Sequence, residues 1–558
     1  MCAPSPGSVQ NCDGHPIRRS SLTTVHTYGN RKRFLFGYRH LYMLVGLRVI
    51  PDVLKGRTAV LRHLRRGIRY GVSCQGSAGL RERVEASDEF QRVVGKGTIM
   101  AHAATDEQHV YHETQQGCRA RLGRDRCLVL IGLIGALFVF GLERASGQTA
   151  GSPCISAPSL PITGTRVVSV ASETQLQNAI GNLQAGDTIV LANGTYNLTS
   201  TLYVNGIDNV TIRGTSGCDN VVLVGHGMDN ANYGSVPHGV WSNAWNTVIA
   251  HLTIRDVYYH LTIFNAGAQS PHVYNLKLVN AGEQFIKSNP TSSTEGVDNG
   301  IMEYSVLEYT AGPPITDHGG GVGYTNGLSI HTADGWIIRR NLFKNFHTPD
   351  SSANRWNPAV LIWNHSTNTL TERNTFINVD RAIAYGLYDN NGSDHQGGTI
   401  RNNFFYLQPG LISARRKAGS DAQIIVWDSP GTKVYHNTVL TNSNVFLSIE
   451  MRFNTAGAEV RNNLADAPLG TRDGGSFSQS GNFLSATASL FVDPSAGNLH
   501  LKNTATAAID KAPVLASVMD DIDGDPRPLG AGYDIGADEF APGGGDSRVH
   551  HGLNHWSP

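Results

Sequence analysis

The chain has 558 residues, with 45 Lys+Arg against 45 Asp+Glu and 62 glycines. The zero balance conceals two different parts: residues 1–126 carry a net +11 and the remainder a net −11. A mildly acidic main body excludes the basic footprint that nucleic-acid binding requires, and abundant Gly, Asn and Thr fit a turn-dense β protein.

Residues 1–123 are Arg-rich and show neither hydrophobic periodicity nor helix caps. They read as a disordered basic extension, with residues 1–99 ahead of a true start near Met100, or as a cytoplasmic segment before a signal anchor. Arg124-Asp125-Arg126 then opens an apolar run, Cys127–Leu142, that ends at Ala145-Ser146-Gly147. A basic flank, about sixteen apolar residues and small residues at the exit form the layout of a secretory signal over 124–147. The run is short for a membrane span, which needs ~20 residues; an uncleaved anchor is the alternative. A secreted or cell-surface protein of bacterial type follows.

Cys154 and Cys218 are the two of the seven cysteines that follow the signal. An oxidising compartment would pair them, tying an N-terminal cap to an early coil. Two isolated cysteines offer too few ligands for zinc.

The segment Thr174–Leu183 has helical spacing with Ser172 as N-cap. Short strands follow at Ala185–Tyr196 (with an Asn-Gly turn), Asn209–Gly214, Val221–Val224, His251–Arg255 and Tyr274–Val279. Next comes a loose repeat, an apolar strand, Arg/His-Asn, then a second apolar strand. It places Asn at 341, 374, 402, 437 and 462, with a weaker copy at Asn482, so the separations are 33, 28, 35, 25 and 20. Irregular β-rich periods of this length predict a solenoid. Asn accepts left-handed backbone angles, so it suits a turn repeated once per coil, and stacked Asn side chains can form a hydrogen-bond ladder. The acidic run Asp520-Asp521-Ile522-Asp523-Gly524-Asp525 reads as a closing turn or as a Ca2+ site through clustered carboxylates, although it lacks the twelve-residue calcium-loop spacing. Residues 541–558 read as a disordered tail. There is no phosphate loop, dinucleotide fingerprint or serine elbow, and no other metal or cofactor site is assigned.

From about 165 to 540 the chain resembles the pectin-lyase-like superfamily of right-handed parallel β-helix proteins. The helix, the Ala185–Tyr196 stretch and Asn209–Gly214 match the opening of secreted members. Asp521–Gly530 with Asp534–Phe540 is similar to the end of bacterial β-helix proteins that carry a choice-of-anchor tail. The resemblance implies an all-β right-handed parallel β-helix over 148–540, with an N-terminal helical cap. Such a fold is shared by many activities.

Aligning the strands before each Arg-Asn places Ile286, Ile330, Ile362 and Val426 inward, and Lys287, His331, Trp363 and Trp427 outward in one column. Indoles bind sugar faces and cations bind uronate carboxylates, so this column is the expected groove. The loops Thr316–Tyr324 and Thr348–Pro358 would wall it. Tyr385, Arg381 and Arg415-Arg416-Lys417 form a further cluster for an anionic chain, which reads equally as solvated surface. Ile286-Lys287-Ser288-Asn289 and Asp317-His318-Gly319 are similar to the Lys and Arg-His-Gly sites of alginate-lyase and chondroitinase-B-like lyases. That likeness implies Lys287 as base with His318 lining the site. Asp317 stands where that family has Arg, so Arg355 or Arg381 would supply the missing charge.

The expected activity is β-elimination on an acidic polysaccharide by a monomeric lyase, with Lys287, His318, His331, Arg355 and Arg381 as catalytic candidates. Trp363, Tyr385, Trp427, Arg415 and Arg416 are the candidates for substrate binding. A non-catalytic polysaccharide-binding or adhesive β-helix is the first alternative. A glycoside hydrolase, which needs paired carboxylates on successive coils, is the second.

Overall fold

A computed structural model describes residues 151–541; the basic extension, the 124–147 signal and nearly all of the 541–558 tail lie outside the described residues. Within it the strands form three long sheets in which each strand pairs in parallel with one from the coil before and one from the coil after. Each coil contributes one strand per sheet, which is the arrangement of a parallel β-helix, and parallel crossovers of this kind are right-handed. The front sheet has ten strands, from Leu202–Val204 to Leu469–Arg472. The flank sheet also has ten, from Gly194–Asn197 to Leu464–Ala465, and the back sheet twelve, from Arg166–Val170 to Ser478–Ser480.

The interior is one apolar column. Val240, Thr262, Ile286, Leu328, Val360, Ile383, Ile424 and Ile449 stack in register along the front sheet. From the flank sheet, Phe343, Phe376 and Phe405 stack face to face at 4.7 and 4.9 Å. The open N-terminal end is closed by helix α1, Glu173–Gly181, whose Leu176 and Ile180 enter the core. Ser172 caps it by accepting from Gln175 N–H at 3.3 Å, as the sequence predicts.

The Arg/His-Asn repeat divides its labour between two residues. A buried ladder runs through Asn341, Asn374, Asn403, Asn437, Asn463 and Asn482: each of the first five donates from both its backbone N–H and its side-chain amide to the next Oδ1, at 2.9–3.2 Å. The left-handed corner belongs to the residue before the ladder, Arg340, Arg373, Asn402, His436 and Asn462, at φ between 49° and 58°. So in the two Arg-Asn-Asn copies the sequence alignment is one residue early. Asn402 and Asn462 turn the corner, and their successors carry the ladder.

Cys154 and Cys218 are disulfide-bonded, with Cα atoms 5.9 Å apart and a sequence separation of 64. The bond anchors an N-terminal segment that crosses the flank, where Asn275 Nδ2 donates to Ile155 O (2.7 Å) and Ser152 N–H to Glu308 Oε1 (2.8 Å). After the last coil the chain returns over the outer face of the flank sheet. Phe491, Leu499, Leu501, Ile522 and Ile535 bury Leu342, Ile377, Phe404 and Leu440 there, in a second core. The acidic run closes this segment: Asp521 Oδ1 accepts from the N–H groups of Asp523, Gly524 and Asp525 at 2.8–2.9 Å. Arg527 and Glu539 form a fully buried ion pair beside it.

Candidate functional site

The outer face of the front sheet carries the chemistry, but its outward residues form two columns. Tyr203, Trp241, Ile263, Lys287, Ser329, Leu361, Ala384, Ile425 and Glu450 are in register in the first. His331 pairs with Trp363, and Trp427 with Arg452, in a second column two residues further along the strands. The single column expected from the sequence therefore splits, because the true partner of Ile286 is Leu328, whereas Ile330 pairs with Ser288. Lys287 and His331 still meet across the pleat.

Lys287 Nζ lies 2.7 Å from His331 Nε2 and 3.4 Å from Ser329 Oγ. Burial pulls the Lys287 amine down to about 8, opposed by the Glu283 carboxylate. Burial, then the Lys287 charge, lowers His331 to about 3, so its imidazole is neutral. A neutral ring has one N–H. Its Nε2 faces Lys287 and its Nδ1 faces Nδ2 of the Asn364 side-chain amide, 2.9 Å away. Burial raises the Glu283 carboxyl, with Lys287 opposing. His260, whose Nδ1 is 3.8 Å from Glu283 Oε2, is held neutral by burial. Burial also raises the Tyr324 phenol, and the Glu283 charge adds to this. Trp363 stands beside this group with its ring 4.6 Å from that of His331 and 5.7 Å from that of Tyr388, which is 57% exposed.

Three loops close one side. Asn354 Nδ2 donates to Gly320 O (2.7 Å) and Asn357 Nδ2 to Gly323 O (3.0 Å), so the two predicted wall loops are joined. Asp317 caps the glycine turn by accepting from the N–H groups of Gly319 and Gly321. His318 pins that loop through Nε2 to Met228 O at 2.7 Å, with its ring against Tyr258 at 4.3 Å.

The remaining sequence candidates fall elsewhere. Tyr385 points into the coil, where its hydroxyl bonds Thr371 and no polymer reaches it. Its strand position is opposite in sense to that of Trp363 because it pairs with the inward Ile362. Trp427 is only 5% exposed: the guanidiniums of Arg381, Arg452 and Arg472 surround its ring at 4.7–5.1 Å, and Nε1 donates to Glu450. Arg381 is buried there and ion-paired with Asp421. Arg416 has a fully buried side chain that bonds Asp380 and Thr348 and covers the Trp356 ring, bracing the second wall loop. Arg415 is exposed and donates to Asp350 O (3.0 Å), and Arg355 is exposed on the wall loop. The site thus unites Lys287, His331 and Trp363 of the predicted set with Tyr324, at the end of the first predicted wall loop, and with Glu283, His260 and Tyr388, which the sequence reading missed. Glu283 lies four residues before Lys287, a signal that was open to notice.

No family model and no curated protein matches the chain. Among solved structures it is similar to an alginate lyase from Paenibacillus sp. str. FPU-7 (15% identity, 57% of this chain, 99% of that one, TM-score 0.29). It is also similar to the pectate lyase Pel9A (12%, 68% and 97%, TM-score 0.36) and to PfbA, a surface adhesin of Streptococcus pneumoniae (12%, 56% and 86%, TM-score 0.38). At these values the fold rests on the strand order described above. No helix among the described residues is long and apolar enough to cross a membrane.

Proposed function

We propose that the chain is a secreted carbohydrate-active protein, a lyase that cleaves uronate-containing polysaccharide by β-elimination with Lys287 as the base. The carrying observation is the Lys287–His331 contact, in which a lysine amine brought near neutrality is held by a neutral imidazole. An amine poised near the working pH is a competent base. In the reaction the Lys287 amine takes the proton from the carbon bearing the uronate carboxylate. That electron pair forms the new carbon–carbon double bond, and the glycosidic carbon–oxygen bond breaks. The Tyr324 phenol returns a proton to the leaving oxygen, and the Glu283 carboxylate raises the basicity of the Lys287 amine. Trp363 and Tyr388 offer apolar faces at the C-terminal margin of the reacting sugar. Hydrolysis would need a second carboxylate set opposite Glu283, whereas elimination needs one base and one acid. A disulfide between Cys154 and Cys218 suits an oxidising, extracellular setting.

The test is incubation of the full chain with alginate, pectate, chondroitin and hyaluronan, following the ultraviolet absorbance of unsaturated uronate. A rise on one polymer that Lys287→Ala abolishes supports the lyase. Retained binding without any rise supports the non-catalytic alternative.

A further inference from the structure

The two directions along the front face away from Lys287 are unlike. Toward the C-terminal coils, Leu361, Ala384, Ile425 and Trp427 are buried in an outer apolar cluster that Leu387, Leu447 and Phe453 cover. Toward the N-terminal coils, the same pleat column presents Trp241, partly exposed, and Tyr203, 44% exposed. These two rings lie on successive coils with centroids 5.8 Å apart and planes tilted by 56°. Strand spacing puts them ~10 and ~14 Å from Lys287 along the column. Beside them the residues that follow the strands are Asn243, Asn265 and Asn289, each partly exposed, with Asn289 Nδ2 bonded to Asn265 Oδ1 at 3.1 Å. Each side-chain amide has two donor and two acceptor positions, so this margin keeps capacity for further hydrogen bonds. Exposed aromatic faces flanked by amides match a pyranose ring, which is apolar on its faces and hydroxylated at its rim. An extended sugar chain also advances by about one strand spacing per residue (~5 Å).

We propose that Tyr203 and Trp241, with Asn243, Asn265 and Asn289 along their edge, form the binding track for an acidic polysaccharide. The chain runs from Lys287 toward the N-terminal coils only. The track rests on the carbohydrate reading of the Lys287 site and deepens it: the polymer is engaged asymmetrically, two or three sugars to one side of the cleaved bond. Trp241 and Tyr203 are positioning residues that hold sugars remote from the reacting atoms, so their loss changes binding more than turnover.

The probes are sodium alginate and polygalacturonate cast into native gels, together with short and long oligouronates of each. The variants are Trp241→Ala, Tyr203→Ala and the conservative Trp241→Tyr, with thermal unfolding as the control for folding. Trp241→Ala is expected to weaken retardation about tenfold, and to raise KM for long oligouronates while leaving kcat and the shortest substrate unchanged. Trp241→Tyr restores most of the binding. Unchanged retardation and unchanged KM at every length overturn the track, as does absence of retardation of the unmodified protein in either gel. Retardation that depends on Trp241 without any unsaturated product keeps the track and removes the lyase. Product formation indifferent to Trp241 and Tyr203 does the reverse.

Discussion

Lys287 Nζ and His331 Nε2 are 2.7 Å apart although 44 residues and one pleat column separate them. Their meeting follows from the coil geometry. Ser329, the true register partner of Lys287, is too short to fill its place, so the lysine leans across to the neighbouring column. Burial then strips the amine of part of its charge while the imidazole stays neutral.

On the proposal that Lys287 is the base, its neutral amine is the active form, so kcat/KM should rise with pH and level off above about 8. Lys287→Ala should lower kcat/KM by ~10²–10⁴-fold at every pH, measured as initial rates of unsaturated product. Because the folded value lies below the ordinary 10.5, the folded state loses this proton first, and stability gains from this group as pH rises between the two.

Glu283 raises the Lys287 amine, so removing its charge has a definite sign. In Glu283→Gln the rising limb of the pH profile should move to lower pH. A limb that stays in place would show that the two groups do not interact.

The asparagine ladder should be a principal determinant of stability. Asn403→Ala leaves the Asn374 donors without their buried acceptor and the Thr371 carbonyl without its side-chain donor, while the backbone N–H of residue 403 still reaches Asn437 Oδ1. At ~1–3 kcal/mol for each buried unsatisfied group, the loss is roughly 2–4 kcal/mol, readable by denaturant unfolding. Asn402→Ala, at the left-handed corner, should act instead through backbone strain and through the Asp520 carbonyl it bonds.

The C-terminal segment should titrate on its own. Burial alone would lower His500, but Asp538 and Asp523 raise it to about 9. A folded value above the ordinary 6.5 gives stability that is complete below 6.5 and is lost as pH rises through about 9. The melting temperature should therefore decline over that window, and His500→Gln should remove that decline.

The architecture was readable because it repeats: strand, corner and Asn recur once per coil, and each copy reinforces the others. The ladder was readable for the same reason, save for a one-residue slip where Arg-Asn-Asn offers two asparagines. The site was less so. Lys287, His331 and Trp363 emerged from strand alternation, but alternation alone does not fix inter-coil register, and a two-residue offset merged two columns into one. Trp427 keeps its place in the Trp363 column but lies beneath three arginines, and Tyr385, read as part of a further anion-binding cluster, lies inside the coil. Arg381 and Arg416 looked available for an anion because sequence does not reveal Asp421 and Asp380 folding against them. His260 and Tyr324 are set by burial, which no local pattern encodes.

The most direct measurement is the ratio of unsaturated ends, by ultraviolet absorbance, to new reducing ends, released from one acidic polysaccharide by the full chain. Elimination with Lys287 as base gives one unsaturated end for each reducing end, both lost in Lys287→Ala. Reducing ends without absorbance would mean hydrolysis and would contradict the account.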